Sequence, residues 1–180
     1  MKKLVYLLFA FASFFLLLTG CDNNEQKNTK LTSSNQSSSP LNLKKVTDNI
    51  VEATLDKNNN IVINKSDITE KASYISYEYE DTTIGLIAVK DSKGNVKVDV
   101  NTCQSCGGSP YAYFVQVGDK IQCQNCGNTF AIDDLDNLVA GGCNPIGLTD
   151  KKEDKTKITI GTNQLKDLKA KFSNWQGPKV

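Results

Sequence analysis

The chain has 180 residues, with 21 lysines, no arginine, 20 acidic residues and no histidine, for a formal net charge of +1. Without histidine, Cys2His2 zinc, histidine-ligated haem, Rieske-type clusters, Ser-His-Asp catalysis and Cys-His nucleophiles are excluded within this chain. Without arginine there is no bidentate fork for phosphate or guanine, and no polybasic patch points to a nucleic-acid partner.

Residues 1–20 begin Met1-Lys2-Lys3 and run through an apolar stretch from Leu4 to Leu18. A charged start and a short apolar centre read as a secretory signal peptide, too short and wrongly flanked for a lasting transmembrane helix. The stretch closes as Leu18-Thr19-Gly20-Cys21 and turns polar at Asp22-Asn23-Asn24. This resembles the bacterial lipobox, which implies cleavage before Cys21, lipidation of that cysteine (palmitate-type acyl chains) and anchoring on the extracytoplasmic side of the cell membrane. Several acyl chains, at ~0.8 kcal/mol per buried CH2, hold stably where a single chain is marginal. Residues 21–43 are Asn, Gln, Ser, Thr and Lys with almost nothing apolar, so a disordered tether is expected. The remainder, residues 44–180, suits one β-rich domain with a cysteine core at 103–145.

Within that domain the elements are expected to be short strands. Ile61-Val62-Ile63 is a β-branched run, and Tyr74 to Glu80 alternates apolar and polar with the period of a half-buried strand. Turns at Asp81–Thr83 and Asp91–Asn95 lead into Ile84–Val89 and Val96–Val100, an antiparallel meander that runs directly into the first cysteine pair. Tyr111–Val117 and Lys120–Gln122 read as a hairpin delivering Cys123, with Thr129–Ile132 after the second pair. Asp150–Lys157 reads as a solvated loop and Lys157–Ile160 as a strand. Asn163–Phe172 reads as a C-terminal helix with Leu165, Leu168 and Phe172 on one face. The expected fold is mainly β: a small antiparallel sheet carrying two metal-binding turns, and that helix.

Five cysteines follow one spacing, Cys103-x2-Cys106-x16-Cys123-x2-Cys126-x16-Cys143, and each Cys-x-x-Cys is followed by glycine. Two such pairs fit a four-thiolate metal site. The glycine lets the chain turn through φ > 0 and aim N–H groups at the sulfurs. The pattern is that of zinc ribbons and of rubredoxin-like mononuclear iron, and spacing alone leaves zinc, iron and disulfides open. Cys143 is either a fourth ligand with one earlier cysteine displaced, a redox-active neighbour or a buried free thiol.

Cys103-Gln-Ser-Cys106, Tyr113-Phe114 with Gly118-Asp119, Cys123-Gln-Asn-Cys126-Gly127-Asn128-Thr129-Phe130 and Gly141-Gly142-Cys143-Asn144-Pro145 resemble the FtrD-like family of membrane-associated iron–sulfur proteins. With Ile61–Thr69, Gly85–Val100 and Lys157–Trp175 the resemblance covers residues 60 to 176. It implies an iron–sulfur cluster or mononuclear iron as cofactor, Cys143 within the site, and a place in electron transfer or iron uptake beside redox or iron-transport membrane proteins. Many family members carry transmembrane helices, for which a lipid anchor stands in here. The competing readings are a structural zinc-ribbon lipoprotein that binds a protein partner, and a thiol–disulfide oxidoreductase. The latter normally places Cys-x-x-Cys at a helix start, whereas turns and strands are expected around both pairs. Tyr74, Tyr77, Tyr79, Tyr111 and Tyr113 are read as packing rather than an electron path, and Trp175 as a satellite-core residue. Asp133, Asp134 and Asp136 lack the spacing of a calcium loop.

Overall fold

The computed structural model describes Val46 and residues 48–137 and 140–180; the signal segment, Cys21 and the tether lie outside the described residues. Two short strands open the domain, β1 (Ile50–Glu52) and β2 (Thr54–Leu55), followed by β3 (Ile61–Asn64). The expected meander forms as β4 (Ser73–Tyr79), β5 (Thr82–Lys90) and β6 (Val96–Cys103). Its second turn is built by Asp91, whose carboxylate accepts the N–H groups of Lys93 and Asn95 at 2.9 and 2.8 Å. The cysteine region contributes β7 (Phe114–Val117), β8 (Lys120–Cys123), β9 (Thr129–Ala131) and β10 (Pro145–Ile146), and the chain finishes with β11 (Lys151–Glu153), β12 (Lys157–Ile160), α1 (Asn163–Lys166) and α2 (Lys169–Phe172).

These strands form three sheets, ordered β1-β4-β5-β6-β10, β11-β12-β3-β2 and β7-β8-β9. All pairings are antiparallel except β1 with β4. Along β5 and β6 the even-numbered Ile84, Leu86, Ala88, Val96, Val98 and Val100 join Ile61, Ile63, Ile158 and Ile160 in one core. The odd-numbered Ile87 and Val89 join Tyr74, Phe114, Ile121, Leu135, Cys103 and Cys123 in the other. The central sheet is thus buried on both faces, which is why β5 reads as an unbroken apolar run rather than an alternation. Each such aliphatic side chain contributes about 1.5–3 kcal/mol on burial. The second core is the floor beneath the cysteines.

Three of the expected elements need correction. The C-terminal helix is present but interrupted, as two single α-turns, α1 and α2, broken at Asp167 and Leu168, where the Leu168 N–H donates to the Leu165 carbonyl. The two turns still bring Leu165, Phe172 and Trp175 inward. The segment 150–157 is not a loop throughout: Lys151, Lys152 and Glu153 pair with Ile160, Thr159 and Ile158 as a charged edge strand, the composition that discourages further strand addition. The strand expected from Tyr111 starts only at Phe114, because Ala112 turns back, its N–H donating to Ser109 and its carbonyl accepting from Cys103.

Trp175 belongs to the main core rather than a satellite. Its indole N–H donates to the Asn101 carbonyl at 3.0 Å, and it packs edge-on against Tyr113 and Phe172. Gly85 and Gly177 make room for it: a Cβ at either would lie 2.3 or 2.2 Å from an indole carbon. Tyr74, Tyr77 and Tyr113 are buried as packing residues, while Tyr111 is exposed.

Candidate metal centre

Each cysteine turn sits at the end of a strand that is itself fixed. β6 runs three residues beyond its expected end and delivers Cys103; β8 delivers Cys123, which pairs with Phe114. The N–H of Cys103 donates to the Ala112 carbonyl at 3.1 Å, so both first cysteines are referenced to the same short segment, 112–114. The turns then bring the sulfurs of Cys103, Cys106, Cys123 and Cys126 within 4.8 Å of one another, as the spacing requires. Cys103 and Cys123 are buried, Cys106 is half-buried and Cys126 is exposed, so the cage opens to solvent on one side. All five described cysteines are unbridged. No helix begins at either pair, which removes the geometry a thiol–disulfide oxidoreductase uses.

The glycines serve as expected in one turn and differently in the other. Gly127 has φ +78° and donates its N–H to the Cys123 carbonyl at 2.9 Å. In the first turn the positive φ falls on Gly108, at +98°. Gly107 is required instead by space, since a Cβ there would meet Lys171 Cγ at 2.9 Å and the Cys103 carbonyl at 3.1 Å.

The sulfurs sit among donors. Cys106 N–H points at Cys103 Sγ at 3.4 Å, with the Ser105 N–H beside it; Cys123 takes the equivalent bonds from Cys126 and Asn125, and Cys126 takes the Asn128 N–H. The Asn125 side chain serves Cys106. Without a metal these thiols hold protons unequally. Burial pushes Cys103 up to about 11 and Cys123 up to about 12. Burial also raises Cys106. Cys126 goes the other way: burial opposes it, but the Asn128 N–H and the thiols of Cys123, Cys143 and Cys106 outweigh burial and lower it. A metal cation reverses this arrangement, since thiolates are its ligands and every N–H already aimed at sulfur stabilises them.

Cys143 lies outside the four-sulfur group but against it. Its hydrogen bond to Cys126 is the foremost cause holding its own thiol protonated. The loop that carries it is clamped by the first cysteine turn. Gln104 N–H donates to Asn144 O at 2.9 Å, Gln104 Oε1 accepts the Gly141 N–H at 2.5 Å, and the Ser105 N–H and hydroxyl both reach Gly142 O. β10 closes the loop, with Pro145 opposite Cys103. Sequence reasoning assigned no role to Gln104, Ser105 or Asn125; the repeated Cys-Gln in both turns was the visible signal. It also missed Lys171, whose ammonium donates to Gln104 O at 3.0 Å. Segments 101–118, 121–132 and 137–149 contain no charged residue, so the described parts of the site's rim are uncharged apart from what α2 brings. Two of the acidic trio are engaged elsewhere: Asp133 accepts from Ser92, and Asp136 pairs with Lys151.

Two Cys-x-x-Cys turns closing four sulfurs into one cage on a small β scaffold fit a cysteine-based metal-binding domain. The pattern of the FtrD-like family, described as membrane iron-sulfur containing proteins, matches residues 68–172, more than half of the chain, and the chain belongs to that family. A comparison with curated proteins finds no match. Among solved structures, the quaternary ammonium Rieske monooxygenase CntA in complex with an inhibitor is similar at 15% identity and a TM-score of 0.38, over 61% of this chain and 36% of that one. Among the described residues no helix is long and apolar enough to cross a membrane.

Proposed function

We propose that this is a lipid-anchored protein of the extracytoplasmic membrane surface that holds iron through Cys103, Cys106, Cys123 and Cys126 and serves electron transfer within redox or iron-uptake machinery. The observation that carries the reading is the closed four-sulfur cage with one exposed corner, in a member of a membrane iron–sulfur family. Cys103 and Cys123 fix the cage to the second core, while Cys126 brings the site to the surface, where an electron reaches a partner with little protein between. The N–H groups of Ser105, Cys106, Asn125, Cys126 and Asn128 offset thiolate charge without proton transfer. Iron bound there supplies a one-electron change; zinc supplies none. Anchoring through Cys21 keeps the domain at the membrane on the tether of residues 21–43.

Full-length protein purified anaerobically from iron-replete cells tests the reading. Thiolate-to-iron absorption that bleaches with dithionite and returns on oxidation is expected, with a potential somewhere between about −700 and +450 mV. Stoichiometric zinc with no bleachable band would overturn it in favour of a structural zinc-ribbon module.

A further inference from the structure

We infer that the cage takes a single four-coordinate metal ion, not a sulfide-bridged cluster, and that Cys143 stays outside the coordination sphere as a thiol donor to Cys126. This rests on the metal-binding reading above and names the form of its cofactor. The argument is one of size. With metal–thiolate bonds of about 2.3 Å, the sulfurs of a tetrahedral ion lie about 3.8 Å apart. In a cluster, thiolates on different irons are separated by the metal–sulfide core as well as by their own bonds. Taking the same bond length and tetrahedral iron throughout, a two-iron rhomb holds its thiolates about 5.3 Å apart across the core on one side and about 6.5 Å on the diagonal, and a four-iron cube holds them roughly 6.5–7 Å apart along every edge. The four sulfurs here lie within 4.8 Å, a limit that admits the first arrangement and not the others.

The cage is also tied against widening. Cys103 and Cys123 are both bonded to the segment 112–114, and Gln124 N–H donates to Tyr113 O at 2.8 Å. Across the two turns, Ser109 Oγ donates to Asn125 Oδ1 at 2.6 Å. Opening the cage to the cluster distances would stretch these bonds beyond hydrogen-bond reach. Four thiolates complete a tetrahedral ion, leaving the fifth sulfur without a coordination position. Cys143 lies outside the four-sulfur group on a loop held by Gln104 and Ser105 against the cage, and is placed to donate S–H to Cys126 instead.

The test is native mass spectrometry with metal and acid-labile sulfide analysis of the anaerobically purified full chain, beside Cys143→Ser. One metal per chain with no inorganic sulfide is expected, and Cys143→Ser should keep that metal while its charge-transfer bands shift. Two or more irons per chain with matching sulfide would overturn the inference. So would loss of metal from a Cys143→Ser chain whose circular dichroism is unchanged. One zinc per chain in place of iron would uphold the single-ion cage while overturning the electron-transfer reading, so the two failures are distinct.

Discussion

Replacing Asp99 by asparagine should change how stability depends on pH. Asp99 lies on β6 opposite Ile87 and is 1% exposed. Its Oδ2 accepts the Asp136 N–H at 3.2 Å, while Oδ1 has no partner. Burial raises its carboxyl from 3.8 to about 6, against the opposing pull of that N–H bond and of Lys151 and Lys97. The folded state therefore binds the proton more tightly than the unfolded chain. Stability linked to the neutral carboxyl is fully present below about pH 3.8 and is lost as pH rises through about 6. At 1.36 kcal/mol per unit, the ionised group at neutral pH costs ~3 kcal/mol relative to acid. Asparagine does not titrate. The stability of Asp99→Asn relative to wild type should then rise by roughly 2.5 kcal/mol between pH 4 and pH 7.5. An unpartnered amide at this site would subtract a constant of about 1–3 kcal/mol and leave that slope unchanged. Urea unfolding followed by the fluorescence of the single tryptophan, with both proteins in the same metal state, measures the difference. A difference that stays flat across this range, or falls with pH, would refute the assignment of a raised carboxyl.

Gly107→Ala should lose about 1–3 kcal/mol of stability, because the Lys171 stem yields but the Cys103 carbonyl does not, and chelator titration should show weaker metal binding. Trp175→Ala should cost about 3–5 kcal/mol in urea unfolding, and Trp175→Phe about 1–3 kcal/mol through the orphaned Asn101 carbonyl. Cys21→Ala should abolish labelling by a palmitate analogue and release the protein from membranes; labelling and retention equal to wild type would exclude the lipobox reading.

What the sequence made legible were features set by local chemistry. Alternation at Tyr74–Glu80 and the turn residues around Gly94 located the meander, and repeated Cys-x-x-Cys located the cage. The strands it missed are two or three residues long and exist through their partners: β10 is held by β6, and β11 by β12. No periodicity can be seen in two residues. The C-terminal helix was legible from the inward positions 165, 168 and 172, but its break at Asp167 and Leu168 leaves that spacing unchanged and so could not be read from it. The clamp on the Cys143 loop was hidden for another reason. Gln104 and Gly141 are 37 positions apart, and nothing short of the fold says that they meet.

Lys171 gives the means to separate charge from packing at the site. α2 lays its aliphatic stem on Gly107 and its ammonium on the carbonyl of Gln104, next to the buried Cys103. The described rim segments are uncharged, so this ammonium has little local competition in shaping the potential at the cage. A thiolate-bound iron gains negative charge on reduction, and a nearby cation favours that state. Lys171→Met keeps the stem and removes the charge. The reduction potential should become more negative, on the order of tens of millivolts for a half-exposed charge, with metal content and unfolding midpoint nearly unchanged. The difference should shrink at high salt, as expected for a group that solvent ions reach. Lys171→Arg, which keeps the charge, should stay close to wild type. Voltammetry on the three proteins decides the matter: equal potentials for wild type and Lys171→Met, or a rise in the latter, would show that α2 supports the first cysteine turn by packing alone.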